Sequence, residues 1–148
     1  MNSDVITVAF GCDHAGFPLR QPVLDWLKQG SFSVIDFGTQ SDARVDYPDF
    51  AHLVSRAVAG GRARFGVLIC GTGVGMAIAA NRHAEIRCAQ ATDSTTARLG
   101  RAHNDANVLA LGARLSGAEA ASDILRAFFA TEFEGGRHIN RLAKLAPV

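Results

Sequence analysis

FGVLICGTGVGMAIAA, residues 65–80, decides the fold. Its first six residues are apolar or small at every position, which suits a central strand of a parallel sheet, covered on both faces. Three glycines then alternate with Thr72 and Val74, and an alanine-rich stretch of helical composition follows. The order is strand, glycine loop, helix.

The same alternation extends in both directions. VITVAF (5–10), SVIDFG (33–38), RCAQAT (87–92) and NVLALG (107–112) read as four further strands. A helix between Gly16 and Gln29 turns Leu24, Trp26 and Leu27 inward. Pro18 suits its first turn, whereas Pro22 implies either a later start or a bend. DYPDFAHLVSRAVAGG (46–61) gives a turn, a helix from about Pro48 and a glycine stop. GAEAASDILRAFFATEF (117–133) is a clear amphipathic helix, and GGRHINRLAKLA (135–146) a short terminal one. Five β/α units predict an α/β fold. It is a three-layer α/β/α Rossmann-like sandwich on a five-stranded parallel sheet, with a C-terminal helical tail. With 148 residues, one domain spanning 1–148 is expected.

Composition narrows the function. The formal net charge is +1 and no Lys/Arg run occurs, so neither nucleic acid nor an anionic membrane is an expected partner. The N-terminus lacks the basic region and apolar core of a signal peptide, and no apolar run nears the ~20 residues of a membrane span. A cytoplasmic protein is expected. Cys12, Cys70 and Cys88 are odd in number and without a CxxC pair, which suggests neither a disulfide framework nor a cysteine metal site.

Open parallel sheets bind ligands beyond the carboxyl ends of the strands, where the strand order reverses. That point falls between strands one and three, at GCDHAG (11–16) and CGTGVG (70–75). Gly71, Gly73 and Gly75 let backbone amides approach an anion or oxyanion. The spelling is not that of a P-loop, because Met76 and Ala77 replace Lys and Ser/Thr. The dinucleotide fingerprint and a Cys-x5-Arg phosphatase loop need glycine and arginine at position 76, where Met76 stands. Cys70 precedes a helix N-terminus, a setting that favours a thiolate and so a base. The plain alternative is a glycine turn with a buried cysteine. Cys12 and Cys88 read as packing.

Other polar residues carry two readings each. Asp13 and His14 either hold a ligand hydroxyl or phosphate, or form a helix cap with an exposed imidazole. In RAHNDAN (101–107), two or three of His103, Asn104, Asp105 and Asn107 suit backbone bonding, and His103 is the candidate general acid. Arg137 and Arg141, four apart, form either a solvated face or a phosphate clamp. Tyr47 is a turn residue or a substrate-facing phenol.

Taken together, GCDHAG, DYPDFA, CGTGVGMAIAAN, AHNDANVLALGAR and EGGRH resemble the type B ribose-5-phosphate isomerases, a sugar-phosphate isomerase family that includes galactose-6-phosphate and allose-6-phosphate isomerases. The resemblance runs in order from about Val8 to Arg141. It implies that Cys70 moves a proton between C2 and C1 of the open-chain sugar. Thr72 helps proton movement at the oxygens, and His103 opens the furanose ring. The amides of Gly71, Gly73, Val74 and Gly75 form the enediolate's anion hole. Asp13, Tyr47 and Asn104 touch sugar hydroxyls, while His14, Arg114, Arg137 and Arg141 contact the substrate, the arginines mainly at the phosphate. A second branch of the family uses glutamate where Met76 stands, so this chain matches the cysteine branch. The resemblance further implies no metal, no organic cofactor, and a homodimer or dimer of dimers with shared active sites. Outside catalysis, a sugar-phosphate sensor or a thiol redox protein are the alternatives.

Overall fold

Strand β3 (Phe65–Cys70) is buried at all six positions. It lies between β1 (Thr7–Cys12) and β5 (Val108–Gly112), with β2 (Ser33–Asp36) and β4 (Cys88–Gln90) at the edges. The structure, a computed structural model, describes residues 4–147. The strand order is β2-β1-β3-β5-β4 and every neighbouring pair is parallel. The order reverses between β1 and β3, as the sequence predicts.

Side chains of a strand alternate between faces. Phe65, Val67 and Ile69 therefore join Val8, Phe10, Leu109 and Leu111 in one layer. That layer is roofed by helices α1 (Phe17–Gln29) and α5 (Ala118–Ala130), which contribute Leu19, Val23, Leu27, Ile124, Leu125 and Phe128. Leu68 and Cys70 join Ala9, Val108 and Ala110 on the other face. Helix α2 (Tyr47–Ala59), through Ala51, Val54 and Ala57, and helix α3 (Val74–Ala80), through Met76, Ala79 and Ala80, cover it. Two more helices, α4 (Ser94–Asn104) and the short α6 (His138–Ala143), complete the chain.

Several boundaries differ from the sequence reading, each for a local reason. Helix α1 starts at Phe17 and runs through Pro22 without stopping. The carbonyl that Pro22 leaves unpaired is that of exposed Pro18, where water can satisfy it. Strand β4 keeps three of its six expected residues, because an edge strand has one partner only. Helix α5 stops at Ala130, since Thr131 turns extended. The terminal helix shrinks to His138–Ala143 because Gly135 and Gly136 adopt positive φ.

Candidate active site

Cys70 ends β3 with its side chain on the α2/α3 face, buried beside Met76. The glycine loop that follows is pinned to the end of β5. The Ala113 N–H donates to the Cys70 carbonyl at 2.9 Å and the Arg114 N–H to the Gly71 carbonyl at 3.0 Å. Gly73 has φ +81°, and a Cβ there would lie 3.0 Å from the Leu111 carbonyl carbon. This left-handed residue directs its own N–H at the Cys70 Sγ, 3.1 Å away. The Val74 N–H donates to Thr72 Oγ1, and Gln90 Nε2 donates to the Thr72 carbonyl. The loop is thus a fixed row of amides beside one sulfur.

The loop after β1 lies alongside. The Asp13 N–H donates to the Ile69 carbonyl at 3.2 Å, and the buried Asp13 carboxylate accepts the Gly16 N–H at 2.8 Å. The carboxylate therefore closes the loop one residue before α1 rather than capping the helix. His14 is half-buried, and its Nδ1 accepts the Val45 N–H. Tyr47 opens α2 and lays its ring over Gly75, leaving only 2.6 Å between its Cζ and a Cβ at that position. The Arg114 side chain runs beside Gly71, its Nε 3.4 Å from where a Cβ would stand. Asp13, His14, Tyr47, Cys70, Thr72, the glycine amides and Arg114 thus gather at the carboxyl ends of β1, β3 and β5.

The remaining predicted residues do not join them. Helix α4 descends from Ser94 to Asn104 and leaves His103 and Asn104 just before the amino end of β5. Gly112, at the opposite end of β5, is the register partner of Cys70. Five strand residues span roughly 15 Å. His103 and Cys70 of one chain therefore face opposite ends of the sheet. The segment after α5 returns to this amino end, where the Glu134 N–H donates to the Ala102 carbonyl at 3.0 Å. There His138 stacks on His103, with ring centroids 4.5 Å apart and planes inclined by 18°. Arg137 precedes α6 and Arg141 lies in its last turn, both exposed, and neither guanidinium makes a hydrogen bond or ion pair to another described residue.

The turn after α4 separates structural from free polar groups. Asp105 takes φ +45° and pairs with Arg101 and Arg87. Asn107 accepts the Arg87 N–H and donates to the Glu85 carbonyl. Two of the four clustered polar residues are therefore turn builders, which leaves His103 and Asn104 available.

The other two cysteines are packing residues. Burial pushes the Cys12 thiol up, against a hydrogen bond and charge from Arg20 that pull it down. Burial, with the charge of Cys70 adding to it, pushes Cys88 up to about 12. All three cysteines are free, and Cys12 points to the sheet face opposite Cys70. A redox partner for Cys70 is not provided by Cys12.

Five residues make contacts that sequence reasoning missed. Gln90 holds Thr72, and its signal was an amide side chain within an otherwise apolar strand. Glu134 and His138 sit against His103, and both lie in the EGGRH stretch, read only for its arginine. His52 Nδ1 and His83 Nε2 meet at 2.8 Å between α2 and the segment after α3, a pairing that no spacing announces.

This arrangement has known counterparts. Residues 8–145 match the family model described as Ribose/Galactose Isomerase. The chain belongs to the ribose/galactose isomerase family. Ribose-5-phosphate isomerase B of Escherichia coli (strain K12), a curated relative, is 47% identical over 141 residues, covering 95% of each chain. The D-erythrulose-4-phosphate isomerase of Pectobacterium atrosepticum is 37% identical over 142 residues, 95% of this chain and 93% of that one. Among solved structures, a ribose 5-phosphate isomerase from Thermotoga maritima superposes with a TM-score of 0.94 at 45% identity. The match covers 97% of this chain and 99% of the other. As a ribose/galactose isomerase the protein is an enzyme, an aldose–ketose isomerase of phosphorylated sugars. No helix among the described residues is long and apolar enough to cross a membrane.

Proposed function

We propose that this isomerase interconverts ribose 5-phosphate and ribulose 5-phosphate, in the cytoplasm, at sites assembled from two copies of the chain. The observation that carries the reading is the row of loop amides fixed beside the Cys70 sulfur, next to Asp13 and Tyr47. Aldose–ketose isomerisation needs a base for a weakly acidic C–H and donors for the oxygen that gains charge. Cys70 as thiolate takes the C2 proton, and the enediolate's oxygen faces the amides of Gly71, Gly73, Val74 and Gly75. The proton returns to C1 while Thr72 passes the hydroxyl proton from one oxygen to the other. Nothing is oxidised or reduced overall. Base, acid and anion hole are all protein groups on this reading, so it calls for neither metal nor organic cofactor.

The sugar enters as a closed furanose, which needs an acid at the ring oxygen. His103 fits that role but stands at the wrong end of its own sheet. A second copy supplies it: His103, Asn104, Arg137 and Arg141 of the partner subunit close over the first subunit's Cys70. The unpaired arginines then hold the phosphate, with Arg114 and His14 on the near side, and this remote binding energy fixes the reacting carbons. Helix α3 offers the partner a seat beside the loop, since Val74 and Ile78 are 49% and 54% exposed.

A four-carbon 4-phosphate is the second reading, supported by the erythrulose-phosphate relative; allose or galactose 6-phosphate is a longer alternative. Proton NMR of the purified protein with four-, five- and six-carbon sugar phosphates decides among them. Conversion of ribose 5-phosphate above the others is expected. Binding without any C2 proton exchange into deuterated water would instead mark a sensor.

A further inference from the structure

We propose that His138, stacked on His103, is a positioning residue that fixes the ring plane of His103 for opening of the cyclic sugar. The inference rests on the reading of His103 as the ring-opening acid. His138 is 5% exposed, and its Nε2 is a buried polar atom without a hydrogen-bond partner. The Glu134 carboxylate lies 3.5 Å from that nitrogen, beyond a good hydrogen bond. Such an orphaned imidazole costs stability, so its place against His103 asks for a use.

The same three side chains bring ligand atoms within 4.8 Å of one another, which raises a metal as an alternative. An imidazole binds a metal through an in-plane lone pair, at about 2.0–2.1 Å for zinc. Two rings stacked 4.5 Å apart at 18° cannot both hold one ion in their planes without unstacking. The trio is therefore built as a stack.

A stack is useful to a general acid. His103 ends a helix, half-buried, and Asp105 after it is locked by two arginines. That fixes its backbone but leaves the ring free to turn. The His138 face removes this freedom. Burial, then the charges of Arg137 and His103, depress the His138 pKa against the pull of Glu134. In the step served, His103 as imidazolium gives its proton to the ring oxygen while the bond from that oxygen to C1 breaks. The C1 hydroxyl proton passes to water, and solvent re-protonates His103.

Ring opening can be separated from enolisation. Ribulose 5-phosphate cannot close a furanose ring, because its 5-hydroxyl carries the phosphate, so exchange of its C1 proton into deuterated water needs no ring opening. His138→Ala is expected to lower kcat on ribose 5-phosphate about tenfold, a fraction of what a general acid contributes, with KM within about twofold. Ketose C1 exchange stays within about twofold of the wild type. His138→Phe, which restores a flat ring, recovers most of the loss; if the alanine variant does not fold, His138→Gln replaces it in the comparison. Unchanged turnover of ribose 5-phosphate, or an equal fall of turnover and exchange, overturns the inference. His103→Asn in the same two assays isolates the parent reading. If it leaves aldose turnover intact, the ring-opening role of His103 is wrong; if it lowers turnover while His138→Ala does not, only the positioning role fails.

Discussion

The two ends of the sheet are built on opposite principles. At the carboxyl end, the loop carbonyls, the amides of Gly73 and Val74 and the Asp13 carboxylate are tied to defined partners. At the amino end, Arg137 and Arg141 stand exposed with no partner among the described residues, and the His138 nitrogen is orphaned. A finished half and an unfinished half on one chain suggest that the second is completed by something else. Both carry residues of the same proposed reaction, so a second copy of this chain is the economical occupant.

Cys70→Ala tests the finished half and has the largest expected effect. Loss of a general base costs roughly 10²–10⁴ in rate, and here turnover should fall by at least that range. Sugar-phosphate binding, measured by calorimetry, should stay within about tenfold. Retained activity would remove Cys70 from the mechanism. Replacing Arg137 and Arg141 by alanine tests the unfinished half. The expected result is a rise in KM of about tenfold or more for the double variant, with an unchanged melting temperature, since neither guanidinium holds the fold. A comparable fall in stability would show them to be structural.

Gly73→Ala sharpens the contrast from the other side. A Cβ at φ +81° is strained and crowds the Leu111 carbonyl, so thermal unfolding should show a loss of about 1–2 kcal/mol. The same change turns the amide that faces Cys70 and should lower kcat more than it raises KM.

The smallest expected effect concerns pH. Burial, then the charges of His52 and Arg56, depress the His83 pKa against the pull of Glu85. His138 is depressed as well, and the unfolded value for both is near 6.5. Below that value the unfolded chain binds more protons than the folded one, so the stability that neutral imidazoles provide is complete above it and is lost as pH falls through the depressed values. Hydrogen exchange between pH 7 and 5 should therefore loosen α6 and the segment after α3 before the glycine loop. Uniform loosening would contradict the contrast.

How much of this was legible in the sequence follows the same division. The strands, the layers and the meeting of GCDHAG with CGTGVG follow from hydrophobic runs and one topological rule, and all are local or periodic signals. Cys12 and Cys88 read correctly as packing, because neither precedes a glycine row. The placement of His103 did not read out, since its distance from Cys70 depends on the direction of α4 and on β5 lying inside the sheet rather than at its edge. The His103–His138 stack was hidden for another reason. It joins residues 35 positions apart across a glycine turn, and two histidines at such a spacing imply nothing by themselves.

Subunit complementation addresses the shared site most directly. Cys70→Ala and His103→Asn chains are each expected to be inactive or nearly so alone, and, if the chain pairs as proposed, mixing and refolding them should yield half mixed dimers. If each site takes Cys70 from one chain and His103 from the other, every mixed dimer regains one intact site, and about a quarter of wild-type activity on ribose 5-phosphate returns. If both residues act within one chain, every site in the mixture keeps one defect and no activity returns.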